Sequence, residues 1–164
     1  MIFKRGRYSA KKLFLATILR PFLSLIPSKN GIVVLTLHNI EERYYNWFEE
    51  FIVMIQNCYG FINPEDFNTQ ENTDEIKVLL TFDDGFFSNK ILSDKILSKY
   101  GVKALFFITE GFVGLNENQA YDFARKNFYP DSLISNDKRK QKSMSWDDVK
   151  SLLDDGHSIG AHTK

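Results

Sequence analysis

Four short apolar runs along the chain predict its strands. The first three are continuous rather than alternating in hydrophobicity, which is typical of parallel strands covered on both faces. The runs are Ile32–Leu37, Val78–Phe82, Val102–Thr109 and Ser158–His162. The chain is therefore expected to bury its strands inside a layered α/β structure.

Amphipathic segments between these runs predict helices. Residues 45–57 carry an apolar face. Residues 89–100 repeat apolar side chains every four positions, with Ser88 as the expected N-cap and Gly101 just past the end. The alternation of strands and helices predicts a parallel sheet with helices outside it.

A further helix is expected between Ser145, which is a good N-cap residue, and Gly156, which ends it. Trp146, like the pair Phe106-Phe107, is expected in the core because large aromatic side chains are usually buried. One face of this helix carries Trp146, Val149, Leu152 and Leu153.

Residues 114–144 interrupt the rhythm of strands and helices. They are polar, have no clear periodicity and include the charged run 137–142. We interpret them as a long surface insertion, and the charged run as a solvated loop rather than a binding patch. The predicted organisation is a basic, partly apolar arm at residues 1–30 followed by one domain at 31–164.

The N-terminal arm is strongly basic. Residues 1–40 contain seven Lys or Arg side chains and no acid, so the zero net charge of the chain conceals a body that is acidic by seven charges. Residues 13–26 are the most apolar stretch, but Arg20-Pro21 interrupts them and they are too short to span a membrane. Three interpretations stay open: an amphipathic helix packed on the body, a basic helix on an anionic membrane surface, and an atypical export signal.

A single cysteine, Cys58, excludes an internal disulfide and is expected to be a small buried apolar residue. The composition is that of a globular protein and gives no reason to expect a nucleic-acid partner. No oligomeric state is predicted.

Polar side chains follow several of the predicted strands. Asp83 and Asp84 directly follow the second strand, His162 ends the fourth, and His38 follows the first. The carboxyl ends of parallel strands meet on one face of the sheet, where α/β proteins place their sites. Adjacent carboxylates at such a place can divide their work, one binding a metal ion and the other transferring a proton.

The segment Thr81–Gly85 (TFDDG) and the later segment Gly156–Thr163 (GHSIGAHT) together resemble the polysaccharide deacetylase family, which is the NodB-like carbohydrate esterase family 4. The resemblance covers residues 31–164, and 114–144 fit it worst. Supporting features that stand in the family's order are Leu37-His38, Phe106-Phe107 and Met144-Ser145-Trp146.

The resemblance implies a distorted (β/α) barrel of the NodB type, of which this chain would form an incomplete part with about the first four strands. It also implies a metal-dependent hydrolase that removes N-acetyl groups from the amino sugars of a glycan, such as a bacterial envelope or surface polysaccharide. The protein would then work in the bacterial cytoplasm or at the inner membrane and cell envelope. The arm at residues 1–29 allows peripheral membrane contact.

Carried onto this sequence, the family motifs make Asp83 the general base. Asp84 and His162 become ligands of a divalent metal ion, most commonly Zn²⁺, and Thr163 follows as a site-lining residue. Two interpretations of His38 stay open, since it either lines the site or forms a hydrogen bond beneath it, and the second is favoured. His157 is expected to be structural.

The sequence also departs from the family pattern. The family's second metal-binding histidine stands four residues after the first, which is two residues beyond Lys164 in this numbering. The later arginine and general-acid histidine motifs are missing too. We therefore expect the 164-residue chain to be an incomplete deacetylase that binds zinc weakly, is only marginally stable and shows no turnover by itself.

Two alternative functions stay open. One is a hydrolase of the same superfamily that acts on a small non-sugar amide. The other is a non-catalytic fragment that binds a saccharide or a membrane.

Overall fold

The sheet is parallel throughout, and its strands follow the order of the chain. The computed structural model describes residues 31–69, 75–128 and 137–162. Within these ranges each strand pairs with the next one in sequence. The strands are β1 (Gly31–Leu37), β2 (Ile76–Phe82), β3 (Ala104–Ile108) and β4 (Ser158–Ala161).

All of the predicted strands are confirmed, with ends that differ by at most two residues. β2 is the most completely buried strand, because it pairs with β1 on one side and β3 on the other. The prediction that β1 is covered on both faces is wrong, since Val34 is 50% exposed. β1 is an edge strand of the described sheet, and it packs on the core through alternate side chains such as Leu35 and Leu37.

Helices connect the strands, as the amphipathic segments predict. A π-helical turn at Ser93–Leu97 joins two of them, and short 3₁₀ turns lie at Glu42–Tyr44, Pro64–Asp66 and Lys138–Gln141. The α-helices are α1 (Tyr45–Cys58), α2 (Phe87–Leu92), α3 (Ser98–Tyr100), α4 (Glu117–Asn127) and α5 (Trp146–Asp154).

The start of α2 differs from the prediction, because Ser88 is not its N-cap. α2 begins at Phe87, whose backbone N–H donates to the carbonyl of Lys142 at 2.8 Å. The Ser88 hydroxyl donates instead to Asn39 Oδ1 at 2.9 Å. Contacts with distant segments therefore replace the local cap of α2. At the end of α3, Gly101 adopts the left-handed conformation and ends the helix, as predicted.

Helix α5 begins at the predicted cap but buries a narrower stripe than predicted. The Ser145 hydroxyl accepts a hydrogen bond from the Asp148 N–H at 3.1 Å, and the Asp148 carboxylate accepts one from the Ser145 N–H at 2.8 Å. Trp146 and Leu153 were expected to join the apolar face but are 53% and 52% exposed. Both lie along one side of the stripe that Val149 and neighbouring Leu152 bury.

The segment 114–144 contains more structure than its polar composition suggests. Helix α4 starts with a capping box in which the Asn116 and Gln119 side chains each accept a hydrogen bond from the other's backbone N–H. The buried face of α4 consists mainly of Ala120 and Ala124, which pack in a second apolar cluster with Phe86 and Phe112. A face built from alanines gives little hydrophobic periodicity, so the sequence did not reveal this helix.

The main core fills the space between the sheet and helices α1, α2 and α5. Phe82 of β2 lies at its centre, with its ring centroid 5.0 Å from that of Phe106 and 6.1 Å from that of Phe48. Phe106 is buried as predicted, whereas Phe107 on the opposite face of β3 is only half-buried. Cys58 is exposed rather than buried, because it ends α1 beyond the last buried residue of that helix.

His157 is a buried structural residue, as predicted. Its Nδ1 accepts a hydrogen bond from the Ala104 N–H at 3.1 Å, and its Nε2 lies 2.8 Å from the Ser93 hydroxyl. Its ring meets the Phe106 ring edge-on at a centroid distance of 5.2 Å. Burial, reinforced by the charge of Lys103, lowers the pKa of His157 to about 4.

The predicted features of the N-terminal arm, including residues 13–26 and 1–29, lie outside the described residues. Among the helices that the structure does describe, none combines the length and apolar character that crossing a bilayer requires.

Replacing Gly160 with alanine should destabilise the fold by about 1–3 kcal/mol, because the new methyl group would overpack the sheet. A Cβ atom at Gly160 would lie 2.6 Å from Cδ1 of Phe107, so that ring would have to move. Gly111→Ala is the matched control, since its Cβ would lie at 3.4 Å from the Phe123 ring. Urea unfolding of both variants checks this, and equal stabilities would contradict it.

Candidate active site

The centre of the site is a tight turn at the carboxyl end of β2. The Asp83 N–H donates to the carbonyl of Leu37 at the end of β1, at 2.8 Å. Asp84 follows with a φ of 75° and Gly85 with a φ of 93°. Asp tolerates this left-handed conformation better than most residues and Gly adopts it freely, so Asp-Asp-Gly turns the chain sharply at the sheet edge. The turn presents two adjacent carboxylates.

Two imidazoles approach the Asp83 carboxylate from neighbouring strand ends. Nε2 of His38, which follows β1, lies 3.7 Å from Asp83 Oδ2. Nε2 of His162, which follows β4, lies 3.6 Å from the same oxygen. The His162 N–H donates to the carbonyl of Ile108 at 2.8 Å, which fixes the histidine backbone against the end of β3. Residues that are far apart in sequence thus meet as the parallel topology predicts.

Asp84 differs from Asp83 in its surroundings. Only 4% of its surface is exposed. Burial raises the pKa of Asp84, and the adjacent charge of Asp83 adds to the rise, while His38 and His162 oppose it. The Asp83 side chain is 15% exposed and so can contact solvent. The two neighbouring carboxylates therefore have different environments.

The structure places the predicted site residues as follows. Asp83, Asp84 and His162 meet at one edge of the sheet. His38 lies on the exposed side of Asp83, with 53% of its side chain exposed, so the favoured interpretation of a hydrogen bond beneath the site is wrong. Thr163 lies outside the described residues. Within the described part of the chain, no three His, Cys, Asp or Glu side chains are grouped so that they could hold a metal ion together.

Backbone hydrogen bonds from two other segments hold the turn in place. The Thr109 N–H donates to the carbonyl of Asp84 at 3.2 Å, and the Met144 N–H donates to the carbonyl of Gly85 at 2.9 Å. The Met144 carbonyl in turn accepts a hydrogen bond from the Gly114 N–H at 2.7 Å. Met144 therefore supports the site, although it lies at the end of the segment that was interpreted as an insertion.

The sequence reasoning missed two asparagines beside the site. Asn89 is fully buried in α2, and its Nδ2 lies 3.5 Å from the Asp83 carbonyl. Asn39 accepts from the Ser88 hydroxyl and donates to the Lys140 carbonyl at 2.6 Å. The only available signal was for Asn89, a polar residue at an otherwise apolar helical position, and it does not identify the partner of that residue.

A comparison with models of protein families identifies the family of the chain. The model of the polysaccharide deacetylase family matches residues 70–164, which include both the aspartate pair and the histidine of the site. The chain belongs to the polysaccharide deacetylase family. No curated protein sequence matches it significantly.

Three solved structures are similar to this chain. IcaB from Ammonifex degensii is similar with a TM-score of 0.60 and 23% identity, over 81% of this chain and 53% of that one. The deacetylase PplD of Streptococcus pyogenes, solved with acetate, is similar with a TM-score of 0.49 and 18% identity, over 84% of this chain and 57% of that one. A de-N-acetylase from Aggregatibacter actinomycetemcomitans is similar with a TM-score of 0.48 and 19% identity, over 83% of this chain and 55% of that one.

The chain thus spans about half the length of the structures that it resembles. Its parallel strands match the NodB-type partial (β/α) barrel of the IcaB structure, which confirms the predicted fold class.

Proposed function

We propose that this chain supplies the carboxylate and imidazole part of the active site in a metal-dependent hydrolase that removes N-acetyl groups from the amino sugars of a polysaccharide. One observation carries the proposal: His38 and His162 bring their Nε2 atoms to 3.7 and 3.6 Å from the Asp83 carboxylate, beside the buried Asp84. The family match supports the same chemistry. The proposed substrate is an N-acetylated glycan of a bacterial envelope or surface.

The two proposed ligands, Asp84 and His162, are of the types that a divalent cation accepts. A buried carboxylate is costly to keep charged unless a cation balances it, and Asp84 is a buried carboxylate. Carboxylate oxygen and imidazole nitrogen are the ligands that Zn²⁺ accepts in hydrolytic sites. We propose that Asp84 and His162 hold the ion. When bound, a divalent ion would supply Lewis-acid polarisation of the acetamide carbonyl and of a water molecule.

Asp83 is the proposed general base. Its carboxylate faces solvent more than that of Asp84, so it can accept the proton of an attacking water molecule. The imidazoles of His38 and His162 lie next to it, at 3.7 and 3.6 Å. The hydrogen bond from the Asp83 N–H to the Leu37 carbonyl fixes the backbone of Asp83 beside the end of β1.

Zinc binding to the protein should depend on Asp84. Isothermal titration calorimetry of Asp84→Ala should show an affinity for Zn²⁺ about tenfold or more below that of the wild type, because a ligand is lost. Asp154→Ala is the matched control, since Asp154 is exposed at the end of α5. If both variants bind zinc like the wild type, Asp84 is not a ligand.

The proposed activity is tested by measuring acetate release from N-acetylglucosamine oligosaccharides by the native protein. Release should be lost after treatment with a chelator and should return when Zn²⁺ is added back. Activity that persists in the chelator would contradict metal dependence. No acetate release with any added divalent metal would contradict the deacetylase function itself.

A further inference from the structure

Thr109 directly follows β3, and its hydroxyl is buried without a partner. The residue is 1% exposed. Within the described ranges, Oγ1 of Thr109 has no hydrogen-bond partner, and it is the only buried side-chain oxygen or nitrogen of those ranges for which this is true. Buried polar groups of native proteins almost always have a partner, so an exception calls for a functional explanation.

One peptide group places Thr109 between the two proposed metal ligands. The N–H of this group belongs to Thr109 and donates to the carbonyl of Asp84 at 3.2 Å. Its carbonyl belongs to Ile108 and accepts from the His162 N–H at 2.8 Å. The peptide therefore joins the segment that carries Asp84 on one side to the segment that carries His162 on the other.

The side chain of Thr109 falls on the face of the sheet that carries the site. Phe106 packs in the main core, whereas the ring of Phe107, on the opposite face, is the group that a Cβ atom at Gly160 would meet. Because side chains alternate between the two faces of a sheet, Thr109 shares the face of Phe107. His162, two residues after Gly160, shares it too. The hydroxyl is therefore on the side of the site and not in the main core.

A hydroxyl in this place suits a buried carboxylate. Asp84 is 4% exposed, so water can solvate its carboxylate only a little, and protein groups have to supply the hydrogen bonds. A threonine hydroxyl donates one hydrogen bond, and its hydrogen rotates to meet the acceptor. Carboxylates that bind metal ions are themselves hydrogen-bonded as a rule, and these bonds orient the oxygen atoms that face the ion.

We propose that Thr109 is a positioning residue of the metal site, whose hydroxyl donates to the Asp84 carboxylate when this carboxylate binds the ion. The inference rests on the proposed function and deepens it, because it assigns the residue that orients one of the two proposed ligands. Without the ion, the same hydroxyl stays buried without a partner. Thr109 therefore lowers the stability of the protein without metal and raises its affinity for the metal.

Thr109→Val tests this role, because valine has the shape of threonine and lacks the hydroxyl. In calorimetric titrations with Zn²⁺, the native protein with Thr109→Val should bind about 10- to 100-fold more weakly than the wild type, the usual effect of losing a group that orients a metal ligand. Thr109→Ser keeps the hydroxyl and should bind within about threefold of the wild type. Equal affinities of the wild type and Thr109→Val would overturn the inference. An affinity of Thr109→Ser as low as that of Thr109→Val would overturn it too.

Thermal unfolding of the protein treated with a chelator gives a second readout. Thr109→Val should raise the melting temperature by about 2–4 °C, because it removes a buried polar group without a partner. Thr81→Val is the matched control, since Thr81 is also 1% exposed but its hydroxyl donates to that of Thr36 at 3.0 Å. Thr81→Val should lower the melting temperature by about 1–4 °C and bind Zn²⁺ within about twofold of the wild type. A lower melting temperature in Thr109→Val would show that the hydroxyl has a partner without metal, and would overturn the inference.

The possible failures are distinguishable. Zinc binding and acetate release that Thr109→Val leaves unchanged would overturn the role of Thr109 and leave the deacetylase proposal standing. A wild type that binds no Zn²⁺ would overturn the proposed metal site together with the role of Thr109. Failure of the proposed function alone would appear as an absence of acetate release by the native protein, while the zinc affinities of the variants still decide the role of Thr109.

Discussion

Replacing Asp83 with asparagine should lower acetate release by the native protein about 100- to 10,000-fold, the usual contribution of a positioned general base. Asparagine has the shape of aspartate and leaves the backbone bond to Leu37 intact, so the turn should persist. It cannot accept the proton of the attacking water at neutral pH. Steady-state rates on an N-acetylglucosamine oligosaccharide measure the effect.

Zinc affinity separates the two roles proposed for the aspartate pair. Asp83→Asn should bind Zn²⁺ nearly as well as the wild type, whereas Asp84→Ala should not. The contrast is informative because both imidazole Nε2 atoms approach Asp83 rather than Asp84. Loss of zinc binding in Asp83→Asn would show that the roles are exchanged. Asp154→Asn serves as the control for a carboxylate that the site does not use.

The strand pattern predicted the sheet well because each strand run is apolar enough to identify without tertiary information. The same pattern gave the site its location, since the parallel order of strands brings Asp83 and His162 to one edge. The periodicity of apolar residues predicted burial less well for elements that are only partly buried. From the sequence alone, we predicted that the edge strand β1 and Trp146 of α5 are buried in the core, whereas both are partly exposed.

The remaining errors have a common physical cause. Ser88 is a good local N-cap, but its hydroxyl bonds to Asn39, and the tertiary partner of α2 is the carbonyl of Lys142. Such partners lie far away in sequence, and no local pattern identifies them. The favoured interpretation of His38 was wrong for the same reason, since its exposure depends on how the loop after β1 packs.

Stability should fall by about 3 kcal/mol between pH 6.5 and pH 4 through the titration of His157 alone. The unfolded chain binds a proton at this histidine below about pH 6.5, whereas the folded chain binds it only below about pH 4. Between these values the unfolded state holds more protons, so acidification favours unfolding. The stabilisation by neutral His157 is fully present above pH 6.5.

The hydrogen bonds of His157 explain why the folded protein resists its protonation. Nδ1 accepts from the Ala104 N–H, so the ring hydrogen lies on Nε2, which donates to Ser93. A second proton would have to enter on Nδ1, where it would face the Ala104 N–H with no acceptor between them. Burial and the nearby Lys103 charge disfavour the imidazolium further.

Urea unfolding of the wild type and of His157→Gln, each measured at several pH values from 7 to 4.5, isolates this contribution. Other groups titrate alike in both proteins, so the difference in their free energies of unfolding should shrink as the pH falls. Ser93→Ala is the second comparison, since it removes the partner of Nε2 but keeps the Ala104 bond. Ser93→Ala should keep most of the pH dependence that the wild type shows in its free energy of unfolding. Identical pH dependence in the wild type and His157→Gln would mean that His157 does not titrate differently in the two states.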